Sequence, residues 1–194
     1  ATTEIYTLSL HDALPIFRKQ NVNFIEILFT PYTIVNPLFK NEWSRLIAAR
    51  EQIAHYSPYN AVKTMKGVAL EKYHAMEHEY PSKAEVLTKY GYDPKQVHHL
   101  LRIKEFLHRY IDGEPYEDCL RPRRPEYLIA VKQGYFTLDE ARIAADSAIA
   151  NVTATADAFC EKVGKTFDTE VDTLLDDVQY NIVKTALKGE ILSD

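Results

Sequence analysis

The chain has 194 residues, of which 46% are hydrophobic, 26% charged and only six glycine, and this composition excludes the disordered, collagenous and low-complexity classes. It is mildly acidic, with a formal net charge of −5. No apolar run approaches the roughly 20 residues of a membrane span, and the two isolated cysteines, Cys119 and Cys160, form no CxxC and fit reduced thiols in the cytoplasm.

In chain order, residues 1–16 stand apart. They resemble the translation of a sequencing-library adapter, residue for residue, from Ala1 to Ile16. Such a segment is set aside before fold reasoning and is expected to have no selected packing partner. The 178 residues from Phe17 onward carry a formal charge of −3, since only Glu4 and Asp12 are lost. This length predicts one main core.

The stretch Asn23–Thr30 is β-branched and aromatic and closes at Thr30-Pro31, which predicts a short buried strand. A second extended piece is expected over Tyr32–Val35. Helices follow, over 38–53, over 59–78 behind a Ser57-Pro58 boundary, and over 82–90 with Gly91 as its stop. Asp93-Pro94 predicts an N-cap with proline in the first turn of a helix to about Ile111. A short helix begins within Pro122–Pro125, and Thr137-Leu138-Asp139-Glu140 is a capping box for a helix to about Val163. The last segment, Glu170 to Leu187, reads as a further helix or a detached tail.

Four blocks in this order carry a resemblance: residues 21–30, Met65-Lys66-Gly67, Tyr90 to Arg102, and Ile129 to Ala141. Together they resemble the predicted nucleotidyltransferases of the polymerase-beta superfamily, in which a palm-like α/β domain precedes a helical one. The resemblance implies a mainly α fold class here: a helical domain over 38–163, preceded at 17–37 by a short β remnant of a truncated palm-like domain, with a C-terminal helix or tail over 164–194. It implies transfer of a nucleoside monophosphate from a nucleoside triphosphate with Mg²⁺, to a nucleic-acid or other acceptor. The family also carries an early Gly-Ser turn and a metal-binding Asp-x-Asp pair, and this chain has neither. Those carboxylates hold the metals that align the attacking group and neutralise phosphate charge. The expectation is therefore an N-terminally truncated, inactive chain that binds no Mg²⁺ by itself, with Glu26 as the one candidate catalytic carboxylate.

The candidate nucleotide-binding residues are Lys66, Lys95, His98, His99 and Arg102. At 100° per residue, Lys95, His98, His99, Arg102 and Arg109 fall within about a 100° arc of one helix, where lysine supplies point charge and arginine a fork for phosphate oxygens. The same pattern describes a solvated helix face. Lys63, Lys66 and Lys72 form a second basic group, and Arg121, Arg123 and Arg124 a third that could meet a nucleic-acid backbone. The alternative function is a non-catalytic helical module that binds nucleic acid or protein. Three weaker patterns stand beside these: His74 and His78 with Glu71 at metal-ligand spacing, Arg102 and His108 at the Arg-x5-His spacing of small helical nucleases, and a chance Gly164-Lys165-Thr166.

Overall fold

The structure, a computed structural model, describes residues 15–31, 34–79 and 81–191, with side chains to residue 188. The fold is mainly α, and no strand occurs among the described residues. The chain divides into two compact units, Ala1–Ala61 with Lys165–Asp194, and Val62–Gly164. The division falls at 61/62 and 164/165, where the sequence reading draws boundaries at 37/38 and 163/164.

In the first unit, the expected strand over 23–30 is absent. Residues Val22–Ile25 form an α-helical turn (α1), and Glu26–Phe29 continue it as a 3-10 turn. Burial spacing explains this. Val22, Ile25 and Leu28 are each at most 5% exposed, a three-residue period that helical turns bury together and that a strand, with its period of two, would split between faces. Asn21 caps the turn, its side chain accepting from the Asn23 amide at 3.0 Å. The β propensity of this segment is thus outweighed by the face that the tertiary core demands. Of the second expected extended piece, Tyr32 and Thr33 lie outside the described residues, and Ile34 and Val35 belong to no helix.

The unit continues with α2 (Lys40–Ala48), α3 (Arg50–Ala54) and the first turn of α4 (Pro58–Ala75). The last segment, expected as a helix or a detached tail, is a helix, α10 (Thr169–Ile191), which buries Val171, Leu175, Val178 and Ile182. Polar ties join distant parts of the chain. Arg18 Nε donates to Asp172 Oδ1 at 2.8 Å, Tyr56 Oη donates to the same oxygen at 2.8 Å, and Arg18 also pairs with Asp176. Gln20, in the left-handed region at φ 55° and 1% exposed, donates to the carbonyls of Phe17 and Ile53.

The second unit holds the rest of α4, then α5 (Ala84–Tyr90), α6 (Pro94–Ile111), α7 (Tyr116–Cys119), α8 (Pro125–Lys132) and α9 (Leu138–Val163). Its helix ends follow the chain's own signals. Gly91 caps α5 at φ 76°, Asp93 accepts from the Lys95 amide at 3.0 Å, and Thr137 with Glu140 closes the full capping box of α9. The helix α6 is the organising element, contacted by α7, α8 and α9. Along α9, Ala141, Ala145, Ala148, Val152 and Ala156 are all buried, at steps of three and four residues. This stripe of small side chains lets the two longest helices of the unit approach closely.

Candidate anion-binding surface

Lys95, His98, His99 and Arg102 occupy positions i, i+3, i+4 and i+7 of α6, so they stack on one face over about 10 Å. Lys95 is exposed, while His98, His99 and Arg102 are half-buried. The two imidazoles meet edge to face with ring centroids 4.9 Å apart. Nδ1 of His98 is buried with no hydrogen-bond partner, a state that costs about 1–3 kcal/mol and that an added partner would relieve.

Other helices complete the cluster. Lys132, at the end of α8, acts on the His98 ring, and Lys72, on α4, acts on the His99 ring. His98 is held below its ordinary pKa by burial first, then by Lys132, Arg102 and Lys95. Burial pushes His99 down to about 4, helped by His98, Lys95, Lys72 and Arg102. Burial first, and the surrounding cations second, favour the neutral form of both rings. Lys72 is bridged to Glu71 at 2.6 Å, whereas Lys95 and Lys132 make no ion pair among the described residues. The result is a patch of positive potential on a chain of net charge −5.

Of the remaining sequence candidates, Lys66 is held elsewhere. Its ammonium meets both oxygens of Asp157 at 2.6 and 2.8 Å, and the six-residue interval places it about 120° around α4 from Lys72. Arg109, counted in the basic arc by periodicity, does not belong to the exposed face. It is 8% exposed and donates to Glu114 Oε2 at 2.7 Å and to the Arg121 carbonyl at 2.6 Å, because the second half of α6 is enclosed by the Phe106, Tyr110 and Tyr116 rings and the 112–124 segment. Arg121 and Arg123 join the same network through Glu117 and Glu114, and Arg124 lies 4.8 Å over the Tyr127 ring.

Glu26 stands in the first unit, on the 3-10 turn. Among the described residues no three His, Cys, Asp or Glu side chains converge as metal ligands. His74 and His78 do not share a helix, since α4 ends at Ala75. His108 Nε2 lies 2.6 Å from Asn151 Oδ1, a contact that anchors its ring to α9.

No family model matches this chain, and no curated protein or solved structure is detectably similar to it. The site is therefore read from its own chemistry. Sequence reading reached four of its members, because they share one helix. It missed Lys132, whose role arises from the packing of α8 on α6, and it grouped Lys72 with Lys66 on sequence proximity. Two hollows lined by described residues of the second unit lie elsewhere. One, of about 740 Å³, is lined by Glu77, Glu79, Leu87 and Thr88 among others, and the other, of about 350 Å³, by Tyr73, His74, Glu77 and Arg142 among others. No helix among the described residues is long and apolar enough to cross a membrane.

Proposed function

We propose that the second unit binds a phosphate-bearing anion across Lys95, His98, His99, Arg102 and Lys132. The observation that supports this most is the gathering of cations from two helices, α6 and α8, around a paired imidazole, with Lys95 and Lys132 unmatched by carboxylates among the described residues. A solvated face would be expected to intersperse both signs, as the Arg109 region does. Lysines supply charge, Arg102 supplies a donor fork, and the imidazole nitrogens supply short-range donors that become stronger on protonation. Cys119 and Cys160 form no disulfide with each other, which suits a cytoplasmic setting in which phosphorylated ligands abound.

The test is calorimetric titration of ATP and of tripolyphosphate into the wild type and into Lys95→Ala/Lys132→Ala. Binding that weakens with salt and is lost in the double variant supports the reading. Equal binding by both proteins overturns it.

Nucleotidyl transfer is a second proposal, and one observation favours it. One of the four blocks that carry the resemblance, Tyr90 to Arg102, is the block that supplies the cluster. Incorporation of labelled nucleoside monophosphate that Glu26→Gln abolishes would support transfer by this chain; no incorporation leaves anion binding as the function.

A further inference from the structure

We propose that the anion bound at this surface is the backbone of a single-stranded nucleic acid, with Tyr135 as the stacking platform for an unpaired base. This rests on the anion-binding reading and names its ligand. The cluster lines neither of the two hollows, and its outer lysines, Lys95 and Lys132, are exposed. A small nucleotide is held best in a concave site that buries most of its surface. An open row of cations instead suits a polymer that lies across it and releases counterions along its length.

Aromatic surface continues the row. Tyr135 is 65% exposed, so a large part of its ring is open to solvent. It follows Lys132 by three residues, so their Cα atoms lie within about 11 Å of each other. The ring is not loose. Its amide donates to the Ala130 carbonyl at 3.1 Å, and its edge meets Phe136 at 5.3 Å and Tyr127 at 6.3 Å between centroids. The preceding Gly134 takes φ 88° and packs so closely on Tyr90 that a Cβ there would come within 2.2 Å of the ring. That contact, with the Tyr90 hydroxyl on the Gln133 carbonyl at 3.3 Å, fixes the turn that presents Tyr135. Arg124 over Tyr127 places a further cation beside the aromatic group. A group of cations and a rigid exposed ring three residues from one of them in the chain are the two elements by which single strands are held without sequence readout. A duplex keeps its bases stacked and would use only the charges.

Fluorescence anisotropy with a labelled oligo(U), a duplex of equal charge and inorganic polyphosphate tests the proposal on the wild type, Tyr135→Ala and Tyr135→Phe. Oligo(U) should bind tightest, with a logarithmic salt slope of about −2 to −3 for three to four neutralised phosphates at roughly 0.7 each. Tyr135→Ala should weaken oligo(U) binding about tenfold, the effect of one lost base stack, and leave polyphosphate binding unchanged. Tyr135→Phe should retain it, which also shows that the turn still folds. If polyphosphate or duplex binds as tightly as oligo(U) and Tyr135→Ala changes nothing, the nucleic-acid proposal falls while the anion site stands. If neither oligo(U) nor polyphosphate nor ATP binds, both fall.

Discussion

The two halves of α6 carry similar charges to opposite ends. From Lys95 to Arg102 the helix presents cations and neutral imidazoles to an open face, joined by Lys132. From Glu105 to Ile111 it turns an equally basic residue, Arg109, inward and matches it with Glu114 at 2.7 Å and Glu105 at 3.6 Å. Around that pair, Arg121 and Arg123 are answered by Glu117 and Glu114. One half holds the 112–124 segment to the helix, and the other presents Lys95, which has no ion pair among the described residues. A basic residue at helical spacing therefore says little until its carboxylates are located.

The largest expected effect lies in the closed half. Arg109→Ala removes a nearly buried guanidinium, leaves the Arg121 carbonyl without that donor, and takes one partner each from Glu114 and Glu105, which keep only Arg123 among the described residues. Breaking a buried pair from one side costs about 3–5 kcal/mol. At roughly 2–4 °C per kcal/mol for a chain of this size, the melting temperature should fall by about 6–20 °C. Thermal unfolding followed by circular dichroism reads this directly. A shift under about 2 °C would mean that the network is incidental, and that the two halves differ less than their geometry implies.

The next effect is the pH response of the open half. His99 titrates near 4 in the folded chain, from burial first and then from His98, Lys95, Lys72 and Arg102, against about 6.5 when unfolded. Between these values the unfolded chain holds the extra proton, so stability rises with pH across the window. The contribution is present in full above pH 6.5 and is lost as pH falls toward 4. The ring is partly exposed, so the loss is discounted to about 1–3 kcal/mol. Urea unfolding at pH 7 and pH 4.5 should show a smaller drop for His99→Gln than for the wild type; equal drops would mean that His99 is not held below its ordinary pKa. A phosphate ligand reverses the sign of the local field and raises both histidine pKa values, so anion binding should take up protons and tighten between pH 7 and pH 5.5.

Much of the second unit was legible along the chain, because its signals are local. Asp93-Pro94, Gly91 and the Thr137–Glu140 box act within four residues of themselves, and each closes as its residue types require. Residues 22–29 were not legible by propensity. Val22, Ile25 and Leu28 carry strand-forming neighbours, and only the core of the first unit decides which period is buried. The candidate site divides in the same way. Lys95 to Arg102 share a face by helix geometry alone, whereas Lys132 joins them through the packing of α8 on α6, and Arg109 leaves them because the chain folds back over it. Such long-range matches leave no periodic trace.

The smallest expected effect is also the sharpest test of the contrast. Lys95→Ala removes an exposed side chain that has no ion pair among the described residues, so folding stability should change by no more than about 0.5 kcal/mol. Arg123→Ala, also on the surface but paired with Glu114, should cost about as little, since exposed pairs contribute roughly 0–1 kcal/mol. Stability alone cannot tell these two cations apart. Affinity should. Each lysine that meets a phosphate contributes close to one released counterion, so Lys95→Ala should weaken polyphosphate binding several-fold and lower the salt slope by about 0.7–0.9. Arg123 spends its charge on Glu114, and its loss should leave both quantities unchanged. Matched titrations at 50 and 200 mM salt decide the point. If Arg123→Ala weakens binding as much as Lys95→Ala does, the anion reads total charge rather than the open face of α6, and the contrast between the two halves carries no function.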